Sequence, residues 1–392
     1  MIPNTTALIR RIALALALGS LAAAPAASQE IVIGIINPMT GPGSDLGVSG
    51  QQAADLVVNE VNKAGGVNGM KLRVVYRDDQ SNPQRGVAAA LELLQREKVD
   101  VIMGANLTNV AFAISPIINE AKVPFIVFGT GDGLTDPEKF PYSFRLNMTN
   151  SMEAAAIIEY VVKTLGKKAP GLLVDNTALG QSGERALRGA LEKQGIAPVG
   201  RETFALADTD MTGQLNALKN AKADVILVWG LGPMLAHAAR SAERAGVDLP
   251  VIGGIGMHQE GFYKLAGPAG EKWSASFFRA FTRGDGDQGS PAIRDFIGRL
   301  RGAYGDRIAA SNMISGVWDD ALRLYLHAVS TAKSKESAKI KAAIEATREY
   351  KGLMATYSFG PAKHDGFDPK GVTIAYSMGA VDFIRRRVPN AP

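Results

Sequence analysis

Residues 31–83 constrain this chain more than any other stretch. They read IVIGIINPMTGPGSDLGVSGQQAADLVVNEVNKAGGVNGMKLRVVYRDDQSNP. A continuous apolar run, Ile31–Ile36, enters a Gly/Pro/Ser loop. An amphipathic helical pattern follows over Gln51–Lys63, then a Gly-rich turn, a second strand at Lys71–Tyr76 and an acidic loop ending at Pro83. A strand that is apolar on every residue must be covered on both faces, so the segment reads as the start of a parallel sheet flanked by helices.

The rest of the chain repeats that alternation. Further strands are expected at Val99–Met103, Phe125–Phe128, Gly171–Val174, Val225–Trp229 and Val251–Ile252. Helices are expected at Gln84–Glu97, Val110–Ala121, Met152–Leu165, Gly183–Gln194 and Met234–Ala245. Asn82 is a good N-cap with Pro83 in the first turn, and Gly195 and Gly246 can close helices. The fold class is α/β. Two βα runs, 31–145 and 150–275, have similar periodicity, and a helical and irregular stretch, 290–350, adds to one of them.

The N-terminus reads as a secretory leader. Arg10 and Arg11 precede thirteen uncharged, largely apolar residues, Ile12–Ala24, fewer than the ~20 that span a bilayer, and small residues follow at Ala24–Ser28. Residues 1–28 are therefore expected to be removed and the protein to be periplasmic. The roughly 365 residues that remain exceed the ~250–300 at which a single core splits, so two domains are expected. The formal charge is +5. No basic stripe with interleaved aromatics appears, which argues against nucleic-acid binding. Arg385-Arg386-Arg387 reads as a solvated end. Cysteine is absent, so disulfides, thiol catalysis and cysteine metal sites are excluded.

An ordered set of local signatures resembles the leucine/isoleucine/valine-binding family of periplasmic binding proteins, the exported receptors of ABC importers. It comprises Thr40-Gly41-Pro42, Gly47, Gly50, Asn62 with Gly65-Gly66-Val67-Asn68-Gly69, Asp78-Asp79 with Pro83, Gly104, Pro124, Thr130, Leu134-Thr135 and Phe144-Arg145. Asp210-Met211-Thr212, Gln214-Leu215 and Asp224-Val225-Ile226 continue it into the second half. The resemblance implies two Rossmann-like lobes joined by a three-crossing hinge that closes on a ligand. It sets lobe one at 29–147 and 277–372, and lobe two at 148–276 and 373–392. It also implies a membrane permease as partner, a monomeric receptor and no cofactor.

Ligands of open α/β sheets sit beyond the carboxyl ends of the strands, against helix N-termini. Strand Val99–Met103 ends at Gly104, and the next helix is expected to start near Asn109, with Thr108 at the cap. Its hydroxyl and the first free N–H groups suit an anion; an ordinary cap is the alternative. The resemblance implies that Thr108 and Thr130, the latter after Phe128-Gly129, hold a ligand carboxylate. It also implies an acid for the ligand's ammonium, but the aligned position in Gly253-Gly254-Ile255-Gly256-Met257 is Ile255. Leu46, Leu179 and the loop after Trp229 lack the family's aromatics. Glu260 could substitute for the acid, His258 could add a polar contact, and Asn150 and Glu153 occupy hinge-contact positions. These departures favour a hydrophobic carboxylate without an amino group, an aromatic or 2-oxo acid. A leucine-like amino acid, an amide or another neutral solute is the alternative.

Enzyme motifs are weak. Gly129-Thr130-Gly131-Asp132-Gly133 lacks dinucleotide spacing, and Ser330-Thr331-Ala332-Lys333 has none of the partner motifs of acylating enzymes. The adjacent Asp78 and Asp79 point opposite ways on an extended segment. They are expected to cap the helix at Pro83 and order the loop rather than bind metal. A sensor module for a signalling partner is the remaining class.

Overall fold

The computed structural model describes residues 30–309, 312–379 and 383–392, except the side chains of Glu260, Asn312 and Met313. The expected leader lies outside these residues. Among them no helix is long and apolar enough to cross a membrane.

Two α/β units carry the architecture. In the first, β1 (Ile31–Asn37), β2 (Leu72–Asp78), β3 (Val101–Gly104), β4 (Phe125–Val127) and β5 (Ser143–Arg145) form one parallel sheet in the order β2-β1-β3-β4-β5. Every residue of β1 is buried, as its apolar run requires. The covering helices are α1 (Ser44–Lys63), α2 (Pro83–Glu92, with a further π-turn to Glu97) and α3 (Thr108–Glu120). Asn82 caps α2, accepting from the Gln84 and Arg85 N–H groups.

The second unit holds α4 (Asn150–Glu159), β6 (Pro170–Asp175), α5 (Ala178–Glu192), β7 (Gly200–Phe204), α6 (Thr212–Asn220), β8 (Val225–Trp229), α7 (Gly232–Arg244), β9 (Val251–Gly253), α8 (Glu260–Ala266) and β10 (Ser274–Phe278). The chain then adds β11 (Thr282–Arg283), α9 (Pro291–Tyr304), α10 (Asn312–Ala332), α11 (Ser337–Ala346), β12 (Tyr350–Lys351) and β13 (Thr356–Tyr357). Of these, α9 and α10 pack on α1, in the first unit. The chain returns to the second unit for β14 (Val372–Tyr376) and then forms β15 (Arg385–Arg386). The second sheet runs β14-β10-β9-β8-β6-β7, all parallel except β14, which is antiparallel to β10.

Several expectations change on contact with the structure. Helix α1 begins at Ser44, well before Gln51. Gly50 in its second turn lies against the Trp318 indole, where a Cβ would come within 2.5 Å of Nε1, so the glycine marks close packing, not a loop. The Asp78–Asp79 pair does not cap α2. Asp78 accepts from the Met39 and Thr40 N–H groups and the Thr40 hydroxyl, which orders the loop after β1. Asp79 is buried, and burial pushes its carboxyl up to about 6. The arginine run is not a free end. Arg385 is buried, with its guanidinium 4.0 Å from the Tyr263 ring centre, and β15 pairs with β11.

The crossing between the units is built on Arg145 at the end of β5. Its side chain is wholly buried. Nη1 donates to the carbonyls of Gly129 (2.9 Å) and Gly131 (2.8 Å), and Nε donates to Asp365 Oδ1 (2.7 Å). The Thr135 hydroxyl donates to the same carboxylate at 2.6 Å. Burial works against the Asp365 charge, but Arg145 and Thr135 outweigh it and hold the carboxyl below its usual range. Three distant segments thus meet at one charged group.

Candidate functional site

A cleft of about 1010 Å³, its open mouth included, lies between the two sheets at the carboxyl ends of their strands. This is where side chains from successive βα loops converge. Its first wall begins at Gly104, which ends β3 with φ +134°. A Cβ there would stand 1.9 Å from the Ile36 carbonyl oxygen, so only glycine lets β3 finish beside β1.

Thr108 follows on the cleft wall. It is not the helix cap but the first helical residue, because Leu107 is extended (φ −92°, ψ 130°) and takes the cap position without a side-chain bond. The Thr108 hydroxyl oxygen accepts from the Gly131 N–H at 3.2 Å. Its own proton has no acceptor among the described residues. Arg145, which bonds the Gly129 and Gly131 carbonyls, therefore fixes the loop that aims this hydroxyl. Asn109 lines the cleft beside it, its side chain accepting from the Val110 N–H at 3.0 Å. Thr130 and Phe128 also line it. Gly129 does not, because its carbonyl turns to Arg145.

Apolar side chains supply most of the rest. Leu46 from α1, Leu179 from α5, Leu206, Leu231, Trp229 from β8, Ile255 after β9 and Ile314 from α10 all line the cleft. Trp229 lies flat over Gly183 of α5, where a Cβ would meet its ring at 2.2 Å. Among the described residues no lysine, arginine or histidine lines the cleft; the ionisable ones that do are Glu153 and Asp175.

Those two acids were not expected in the cleft. Glu153 sits in the first turn of α4 and is fully buried. Its Oε2 accepts from the Ile255 N–H at 2.7 Å and the Ser276 hydroxyl at 2.5 Å, while Oε1 has no partner. Burial raises its carboxyl to about 7; the two hydrogen bonds oppose that, and nearby Asp132 adds to it. Asp175 ends β6. Its Oδ1 accepts from the Thr177 and Gly180 N–H groups, its Oδ2 is buried without a partner, and burial raises its pKa.

The loop after β9 therefore carries no acid, but a carboxyl lies against the Ile255 backbone all the same, delivered by a different element. In sequence, Glu153 reads as an ordinary first-turn acid, favourable to the helix dipole. His258 is not among the residues that line the cleft. It is buried against the Phe277 ring, 4.2 Å between centroids, and burial together with Arg385 keeps its imidazole neutral. The Glu260 side chain lies outside the described residues. No group of three or more His, Asp or Glu residues suits a metal ion among the described residues.

Two sheets, a cleft at their carboxyl ends and a chain that crosses between them match a known family model over residues 30–372, that of the periplasmic binding protein. The chain belongs to this family. This periplasmic binding protein is 28% identical over 279 residues to Leu/Ile/Val-binding protein homolog 3 of Brucella melitensis, covering 71% of this chain and 74% of the relative. Its fold matches a type 1 periplasmic binding protein of Bordetella pertussis Tohama I with a TM-score of 0.80 and 26% identity, over 89% of this chain and 96% of that one. It also matches an R. palustris ABC-transporter solute binding protein solved with 4-hydroxybenzoate, with a TM-score of 0.77 and 23% identity, over 92% and 96% of the two chains. The family consists of exported substrate-binding receptors, not enzymes. Its relatives include Leu/Ile/Val-binding proteins.

Proposed function

We propose that this receptor captures a small hydrophobic carboxylate in the periplasm and presents it to a membrane permease. Lobe one (29–147 and 277–372) and lobe two (148–276 and 373–392) close on the ligand about the hinge at Arg145. The ligand's carboxylate accepts from the Thr108 hydroxyl and the first N–H groups of α3. Its apolar body lies among Leu46, Phe128, Leu179, Trp229 and Ile255. An aromatic or 2-oxo acid fits this description.

The observation that carries the reading is the Thr108 hydroxyl, held by the Gly131 N–H with its proton unspent, in a cleft that is otherwise largely apolar. An apolar amino acid is the second reading. It is favoured by the free Oε1 of Glu153, which if ionised could accept from an ammonium, and by the name of the Brucella relative.

A thermal-shift panel tests the choice. It contains leucine, isoleucine, valine, phenylalanine, their 2-oxo acids, benzoate and cinnamate. A ligand at 100 times its Kd adds about 2.7 kcal/mol, which moves the melting temperature by several degrees. Shifts with the acids alone support the proposal. Shifts with leucine and its kind alone replace it with the second reading.

A further inference from the structure

Glu153 poses a problem that the cleft does not solve with a cation. A buried carboxylate beside an incoming anion is costly unless one of them is neutralised. No basic side chain lines the cavity among the described residues. The protein's own donors are spent on one oxygen only: Ile255 N–H and Ser276 Oγ both serve Oε2, leaving Oε1 bare. A proton on the carboxyl therefore belongs on Oε1, and there it is a hydrogen-bond donor.

We infer that Glu153 binds ligand in its protonated form, donating from Oε1 to an oxygen of the captured acid, so that capture takes up one proton. This rests on the hydrophobic-carboxylate reading above and adds a second anchor, on the other lobe from Thr108. For a 2-oxo acid the acceptor is the keto or carboxylate oxygen. The proton comes from solvent, no covalent bond changes, and release of the ligand returns it.

The surroundings of Glu153 favour the neutral form. Asp132, in the loop after β4, is a nearby negative charge. Asp175, at the end of β6, is the other acid of the cleft. Of the elements packed on α4, β10 contributes only the Ser276 hydroxyl, α5 reaches the neighbouring Asn150 through Ser182, and β14 has no acid or base apart from Tyr376. Consistently, burial pushes the carboxyl up to about 7. An anionic ligand raises it further.

Titration calorimetry of the mature protein with 4-methyl-2-oxopentanoate, benzoate and leucine tests this. For the acids, Kd should weaken about tenfold per pH unit above 7, and at pH 8.5 about one proton should be taken up per ligand, measured in two buffers of different ionisation enthalpy. That measurement needs no variant. Glu153→Gln, which keeps a donor without the charge, should bind the acids tens of times more tightly than wild type at pH 8.5 and lose the pH dependence. Acid binding with a flat pH profile, or abolished by Glu153→Gln, overturns the inference and leaves the carboxylate reading standing. Binding of leucine alone, weakening as pH falls, overturns both. Failure of every probe to bind does so as well.

Discussion

The Phe128 ring lies flat on the Trp318 indole, with centroids 3.9 Å apart and planes within 11°. Phe128 lines the cleft at the end of β4; Trp318 stands on α10, which joins the first unit after the chain has laid down five of the second unit's six strands. The cleft-lining aromatic is therefore backed by a helix that arrives late in the sequence. Trp318→Ala removes a fully buried indole, and such truncations cost about 3–5 kcal/mol. Urea unfolding should register that loss. The variant should also bind more weakly, because Phe128 loses the surface that holds it.

Thr108→Val keeps the shape of the side chain and removes the hydroxyl. A ligand oxygen left without its donor costs about 1–3 kcal/mol, so calorimetry should show affinity falling by roughly five- to 150-fold. Unchanged affinity would move the carboxylate anchor elsewhere.

Gly183→Ala tests the wall opposite. Its methyl would stand 2.2 Å from the Trp229 ring, so the indole must shift, and the open side is the cleft. Overpacking of this kind costs about 1–3 kcal/mol in stability. The expected signature is a loss of affinity larger than the loss in melting temperature, with Trp229 fluorescence altered in the ligand-free protein.

Arg145→Met leaves the Gly129 and Gly131 carbonyls without their donor and the Asp365 carboxylate without its counter-charge, with only the Thr135 hydroxyl still donating to it. Asp365 is 32% exposed, so breaking the pair costs less than the about 3–5 kcal/mol of a fully buried one, a loss that denaturant unfolding should report. The pH dependence has a definite sign. The folded pKa of Asp365 is depressed, so its contribution is present above the ordinary carboxylate value near 4 and is lost as pH falls through the lower folded value. Acid unfolding of wild type should carry that component, and Arg145→Met should lack it.

Ile255→Glu would bring a second carboxyl to the Glu153 site. Acid ligands should bind more weakly to the variant, and a gain in leucine affinity would locate an ammonium site there. No response to either ligand would place residue 255 away from the bound molecule.

The sheets were legible in the sequence where strands are buried on every residue, as in Ile31–Ile36 and Val225–Trp229, because parallel pairing leaves them no polar face. Strand β7, Gly-Arg-Glu-Thr-Phe, is an edge strand with half-exposed residues and carries no such run. For strand β14 the resemblance only set 373–392 in lobe two, and nothing local to Val372–Tyr376 tells which sheet it joins. In the cleft, Thr108 could be located because it follows a strand end, a place fixed by topology, whereas Leu46, Leu179, Trp229 and Ile255 came from the family resemblance. Glu153 and Asp175 could not be recognised as cleft acids. Whether an acid on a helix or strand end is solvated, capped or bare depends on neighbours such as Ser276 and Thr177, which only the folded chain brings together.

The antiparallel strand at the edge of the second sheet has a consequence for the order in which the protein can be finished. Residues 372–376 supply that edge, although the other five strands of the sheet are complete by residue 278. Until residues 372–376 have emerged, β10 presents an unpaired border to any other chain nearby, and such borders recruit strange strands. A copy cut short before residue 372 should therefore be lost to clumping rather than survive as a weaker receptor.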